Sequence, residues 1–252
     1  MKLKDKVSVV TGAGSGFGEG IAKLYAAEGS AVVVNDINEQ GGRRVAREIE
    51  DAGGRAVFVY ADVTKAGEVQ AMVDKTLSTF GRLDNMVNNA GYTHRNRPML
   101  EVDEATFDRI YAVNVKAIYL SAMACVPVMR AQGGGVIVNT VSTAALRPRP
   151  GLTWYNGSKG AALLLTKSMA VELAPDRIRV NAICPVIGET GMLEDFMGMP
   201  DTPENRQKFL ATIPLGRMSR PSDIANAALF FVDPASEFIT GVALEVDGGR
   251  CI

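Results

Sequence analysis

Tyr155 and Lys159 stand four residues apart in the stretch Tyr155-Asn156-Gly157-Ser158-Lys159. On a helix, a phenol and an ammonium at that spacing share one face, and together they can move a proton. A free phenol titrates near about 10, too high for a base at neutral pH. A cation about 4 Å away is worth roughly 4 kcal/mol at an effective dielectric near 20, so Lys159 would bring the Tyr155 phenol down toward neutral pH before desolvation opposes it. The bland account is an ordinary exposed helix turn, because such a pair recurs by chance. What precedes and follows it decides between the two.

The elements that would position the pair alternate regularly. Val7 to Val10 is a short apolar run ending in Thr11-Gly12, and a helical pattern opens at Phe17 and stops at Gly29. Ala31 to Asp36 is a β-branched run whose continuous apolarity indicates a parallel strand covered on both faces. Asn38 can cap the next helix, which Gly53-Gly54 ends. Strands follow at Ala56 to Tyr60, Met86 to Asn88, Val136 to Asn139, Arg179 to Ile183 and Val242 to Val246. Helices lie between them over about 65–80 and 103–132, in the stretch that carries Tyr155 to about Leu173, and from Pro221. This predicts an α/β fold, a Rossmann-type doubly wound parallel sheet of about seven strands in a single domain over residues 1–252. Between Gly188 and Ile213 the alternation fails, and Met192, Leu193, Phe196 and Met199 are too apolar for a solvated loop. That segment is either a packed helical insertion or a functional loop, and a lid over a pocket satisfies both.

Composition narrows the partners. With 47% hydrophobic residues in 252, the chain can bury a substantial core. With 27 basic against 28 acidic residues and a pI near 6.0, there is no electrostatic case for nucleic acid or an anionic membrane. Cys125, Cys184 and Cys251 are far apart and form no Cys/His cluster, so neither a disulfide framework nor a metal site is expected. Ile110 to Met129 is apolar but interrupted by Asn114, Lys116 and Pro127, which suits a core helix better than a membrane span. No signal-length apolar segment follows the basic Met1 to Lys6, so a cytoplasmic location is expected.

Thr11-Gly12-Ala13-Gly14-Ser15-Gly16-Phe17-Gly18 falls in the first strand-to-helix turn. There, glycines allow close backbone approach, and free N–H groups with the helix dipole favour a dinucleotide pyrophosphate. Gly12, Ser15, Gly16, Phe17 and Gly18 are the candidates. Asp36 ends the second strand about 20 residues on, where a carboxylate hydrogen-bonds an adenosine ribose diol. It would repel a 2′-phosphate, and no Arg or Lys follows at Ile37 or Asn38 or lies within the loop. The expected cofactor is therefore NAD(H), not NADP(H).

The spacing TGxxxGxG at Thr11 to Gly18 resembles the short-chain dehydrogenase/reductase family in its short single-domain form. The resemblance runs over essentially the whole chain: Asp62-Val63, Asn88-Asn89-Ala90-Gly91, Asn114, Ser142, and Tyr155 with Lys159 as the family's YxxxK motif. It implies that Gly12, Gly16 and Gly18 shape the pyrophosphate loop, that Asp62 and Val63 contact the adenine, that Asn89 lies along the cofactor, and that Thr190 closes on the nicotinamide amide or a phosphate. The Pro-Gly common in the family after the sixth strand is here Cys184-Pro185-Val186-Ile187-Gly188, and Gly188 is expected to supply the missing flexibility. The catalytic set implied is Asn114, Ser142, Tyr155 and Lys159. Tyr155 is the general acid/base, Ser142 holds the substrate oxygen, and Asn114 links Lys159 to solvent through water; a buried amide bonded to backbone is the plainer account of Asn114.

The reaction expected is interconversion of a secondary alcohol and a ketone by hydride transfer with NAD(H). The alternatives are a 3-oxoacyl-carrier-protein reductase, a glucose-type sugar dehydrogenase, or a dinucleotide-binding regulator without turnover. Met192 and Phe196 with Trp154 favour an apolar substrate over a sugar. His94 is expected on the pocket rim, and Arg147 and Arg149 in a solvated loop unless they attract an anionic group. The resemblance also implies a homotetramer.

Overall fold

The computed structural model describes residues 1–252. The chain runs β1 (Val7–Thr11), α1 (Gly16–Ala27), β2 (Ala31–Asn35), α2 (Glu39–Asp51), β3 (Arg55–Val59), α3 (Ala66–Phe80), β4 (Asn85–Asn88), α4 (Glu104–Tyr111), α5 (Ala117–Gln132), β5 (Gly135–Thr140), α6 (Thr153–Leu173), β6 (Ile178–Pro185), α7 (Leu193–Met197), α8 (Pro203–Leu210), α9 (Pro221–Val232) and β7 (Ala243–Val246). The strands form one seven-stranded sheet in the order β3-β2-β1-β4-β5-β6-β7, and every pairing is parallel. This is the doubly wound sheet that the alternation predicts.

Continuous valine runs are possible because both faces are covered. Val9 pairs with Val33 and Val10 with Val34, and successive residues point to opposite faces. Val10 and Val34 join a core with Ile21, Tyr25, Val45, Ile224 and Phe231 from α1, α2 and α9. Val9 and Val33 join a second with Met72, Leu120, Met129 and Leu173 from α3, α5 and α6. Burying each such side chain contributes about 1.5–3 kcal/mol, so the two layers fix the sheet and with it the positions of its strand ends.

β1 is flanked by β2 on one side and β4 on the other, so the winding direction reverses between β1 and β4. The crevice at the carboxyl ends of strands at such a reversal is where ligands enter this class of sheet. The predicted long helix over 103–132 departs from a single α-helix. It begins as α4, widens to a π-helical turn over Ala112–Lys116, and resumes as α5, running through Pro127. By length and composition, Glu104–Gln132 is the one helix apolar enough to cross a membrane; its residues Leu120, Cys125 and Met129 are packed in the core.

Candidate active site

The glycine-rich turn after β1 is shaped by close approach. Gly12 has φ +62°, and a Cβ there would stand 2.9 Å from the Ala90 Cα. The Thr11 hydroxyl accepts the backbone N–H groups of Asn89 and Ala90, each at 3.0 Å, and Asn89 Nδ2 donates to the Thr11 carbonyl at 2.9 Å. The turn is thus latched to the end of β4 across the point of reversal. Gly12, Ser15, Gly16, Phe17, Asp36, Asp62, Val63, Asn89, Gly188 and Thr190 all line one cleft of about 350 Å³. Gly18 does not: it is buried under the loop, where any Cβ would collide with the Gly12 carbonyl. Its part is close packing of α1 on β1.

These residues fit a dinucleotide. Asp36 accepts the Gly14 N–H and the Asn38 N–H at 2.8 Å each, so its carboxylate is fixed where it meets the cleft. Sequence reasoning passed over Arg44, whose guanidinium reaches the Gly14 carbonyl at 3.2 Å. It is already paired with Glu19 and Glu48, which leaves Asp36 to set the charge at this end. Gly188 serves differently from expectation: its φ is ordinary, and the need for glycine comes from the Phe17 ring, which a Cβ would strike. Thr190 lies over the loop, its Cγ2 3.3 Å from the position of a Gly16 Cβ.

At the other end of the cleft, α6 puts Tyr155 and Lys159 on one buried face, 5% and 4% exposed. Lys159 Nζ donates to the Thr140 carbonyl at 2.9 Å and lies 5.8 Å from the centre of the Tyr155 ring. The expected lowering of the phenol is not what the protein chain alone produces. Burial pushes Tyr155 up to about 12, with the Ser142 hydroxyl pulling weakly the other way. Burial also brings Lys159 down from 10.5 to about 8. Burial decides both shifts, and the ammonium is turned toward the Thr140 carbonyl.

Ser142 follows β5 and accepts the Ala144 N–H at 3.1 Å. That turn role uses a lone pair, so its O–H proton remains free to donate into the cleft. Asn114 sits at the centre of the π-turn and makes three of its four possible hydrogen bonds: Oδ1 accepts the Tyr92 N–H at 2.9 Å, and Nδ2 donates to the Tyr92 carbonyl at 2.9 Å and to Ser158 Oγ at 3.0 Å. The backbone-bonded amide is therefore present. Asn114 also lines, with Ser121, Thr140 and Lys159, a cavity of about 10 Å³ behind the cleft, the size of one water molecule.

Segment 188–213 is a packed insertion that also contributes to the cleft wall. Leu193, Met197 and Ile213 form their own small core with Val186, Ile187 and Met218, while Met192 and Phe196 face the cleft. The Phe196 ring meets Tyr155 edge-on at 5.2 Å. Two predicted substrate residues are elsewhere. His94 is 3% exposed and off the cleft wall, its Nδ1 2.8 Å from the Arg95 carbonyl, because Asn96 N–H bonds to Asp195 and draws this loop under the insertion. Trp154 points outward, donating Nε1–H to the Met99 carbonyl at 3.0 Å and packing on Phe107. Neighbouring residues on a helix diverge by about 100°, so Trp154 could not share the Tyr155 face. Tyr92 and Arg109, stacked at 4.4 Å, do line the cleft; only the position of Tyr92, next to the Asn-Asn-Ala-Gly turn, hinted at this.

Comparison with known proteins agrees with this geometry. Residues 12–250 match the family described as enoyl-(acyl carrier protein) reductase. A 4-formylbenzenesulfonate dehydrogenase of Comamonas testosteroni is 51% identical, with 100% of each chain covered. The crystal structure of a 3-ketoacyl-(acyl-carrier-protein) reductase from Brucella melitensis complexed with NADH superimposes with a TM-score of 0.92 at 46% identity, covering 99% of this chain and 100% of that one. A 7α-hydroxysteroid dehydrogenase complexed with NADH and 7-oxo glycochenodeoxycholic acid gives 0.92 at 39% identity, covering 98% and 94%. The chain belongs to the short-chain dehydrogenase/reductase family and is an NAD(H)-dependent oxidoreductase acting on CH–OH groups.

Proposed function

We propose that the substrate is a secondary alcohol or its ketone carried on an apolar ring system, with Tyr155 as the general acid/base. The observation that carries this reading is the buried Tyr155 hydroxyl beside Ser142, with Phe196 against its ring and Lys159 on the same helix face. Bound NAD(H) supplies or accepts the hydride at the substrate carbon. Ser142 donates its free proton to the substrate oxygen and holds it against Tyr155. Tyr155 gives its phenolic proton to that oxygen as a ketone is reduced and recovers it as an alcohol is oxidised. Lys159 steadies the charge left on Tyr155, and the water-sized cavity shared with Asn114 supports a route for the proton's replacement. Segment 188–213 excludes bulk water.

Two relatives, a 4-formylbenzenesulfonate dehydrogenase and a 7α-hydroxysteroid dehydrogenase, act on ring systems, which supports a ring-bearing substrate. NADH oxidation with a panel of cyclic and aryl ketones is expected to give kcat/KM above that for sugars and for acetoacetyl thioesters. A higher value for either of the latter classes would sink it.

We also propose a cytoplasmic homotetramer. Tyr119 and Met123 on α5 and Leu164 and Val171 on α6 are 57–80% exposed, apolar faces that one sheet does not cover. Protein recovered from the cytosolic fraction is expected to scatter light as about four times the 26.8 kDa chain, and Leu164→Glu with Val171→Glu to lower that mass. A monomeric wild type would refute the assembly.

A further inference from the structure

Arg147-Pro148-Arg149-Pro150 leads from β5 toward α6 and sets two arginines on the wall of the same cleft as Ser142, Tyr155 and Phe196. The stretch is solvated as expected at Arg147, Pro148 and Pro150 and half-buried at Arg149, and it is also tied down. Asn156 Nδ2 donates to the Arg149 carbonyl at 2.9 Å and Asn96 Nδ2 to the Pro150 carbonyl at 3.0 Å, while the prolines fix their own φ angles. The Arg147 guanidinium donates to the Arg250 carbonyl and so brings the turn after β7 alongside.

Arg250 is nine-tenths buried, yet its Nε and Nη1 have no hydrogen-bond partner. None of the three arginines is in an ion pair. The Arg149 guanidinium lies 5.0 Å over the Phe209 ring of α8, and burial, with the charges of Arg250 and Arg147, pushes it down to about 10. A buried charge such as Arg250 is ordinarily paired, and bringing the half-buried Arg149 and the exposed Arg147 close to it with no direct ion pair is unfavourable. An arriving oxyanion reverses that balance, and the guanidinium fork matches a carboxylate or sulfonate in a bidentate manner.

We propose that Arg147 and Arg149, backed by Arg250, form an oxyanion-recognition subsite for a carboxylate or sulfonate carried on the substrate's ring. This rests on the reading of the cleft as an alcohol/ketone site. Val141, Leu152, Met192 and Phe196, which line the same cleft, take the ring, and Ser142 and Tyr155 take the CH–OH carbon's oxygen. Because Arg149 stacks on Phe209, seating the anion also fastens α8 of the covering segment.

Titration of the NADH-loaded enzyme with benzenesulfonate and with its neutral isostere benzenesulfonamide reads the subsite directly. The sulfonate is expected to bind at least about tenfold tighter, with the ratio shrinking as salt is raised. The ratio should approach one in Arg147→Gln and Arg149→Gln, and Arg149→Lys should keep part of it. NADH affinity and melting temperature establish that each variant is folded. Equal affinities in the wild type, or an undiminished ratio in both glutamine variants, overturns the proposal. So does a changed assembly mass with the ratio intact, which would make the arginines a subunit contact. The readout is binding, so failure to turn over any alcohol or ketone would defeat the reaction reading while leaving the ratio standing.

Discussion

Tyr155→Phe is expected to lower kcat by about 10²–10⁴-fold while leaving NADH affinity within a few fold of wild type. The change removes one oxygen and keeps the ring that meets Phe196 at 5.2 Å, so the wall of the cleft and the fold stay as they are. What disappears is the only hydroxyl on α6 that both faces the cleft and is buried deeply enough to exclude competing water. The pH profile adds a second readout. Burial holds the phenol up near about 12, so at neutral pH it carries its proton and is ready to donate. Ketone reduction should therefore be level below about pH 8, where Lys159 keeps its charge, and alcohol oxidation, which needs the proton gone, should climb as pH rises toward that value. Stopped-flow measurement of both directions from pH 6 to 8 checks this. A Phe variant retaining more than about a tenth of wild-type kcat, or an oxidation rate falling with pH, would remove Tyr155 from the role.

Much of this site could be read before any coordinates because its parts are local. Gly12, Gly16 and Asp36 are fixed by one strand-turn-helix-strand unit, and Tyr155 and Lys159 by helical spacing alone; short-range geometry decides them all. Where expectation and structure part, long-range contacts decide. His94 looks like a rim residue in a polar stretch, and it is buried because Asn96 is bonded to Asp195 about a hundred positions later. Gly188 reads as a flexible joint, yet it is required by a ring from α1. Arg147 and Arg149 look like a solvated loop, and Arg147 is exposed, but their grouping with Arg250, at the far end of the sequence, could not be read from local spacing. The sign of the Tyr155 shift escaped for the same reason. Charge proximity is legible at i, i+4, but the depth of burial and the turn of Lys159 toward Thr140 on β5 are not.

Lys159→Met should yield an enzyme that is more stable and nearly inactive. The ammonium is 4% exposed and its one hydrogen bond is to the Thr140 carbonyl; no carboxylate neutralises it. Its depression from 10.5 to about 8 corresponds to roughly 3 kcal/mol of unfavourable burial of the charged form. Methionine matches the side chain in length and helix propensity, fills the space without charge, and forfeits one hydrogen bond worth about 1 kcal/mol. The net gain is on the order of 2 kcal/mol, or about 5 °C in Tm for a chain of this size. The sign follows from proton counts. Between about 8 and 10.5 the unfolded wild type holds more protons at this lysine than the folded one, so wild-type stability from this group rises with pH through that window. The advantage of the methionine variant is accordingly largest below about pH 8 and narrows above it, measured without cofactor by thermal melts at pH 7 and pH 9.5. Turnover should fall by at least about 10²-fold, since nothing then steadies the charge on Tyr155. A melting temperature below wild type at pH 7 would mean that Lys159 is held for structure, and the buried ammonium beside Tyr155 would lose its reading as a strain retained for proton transfer.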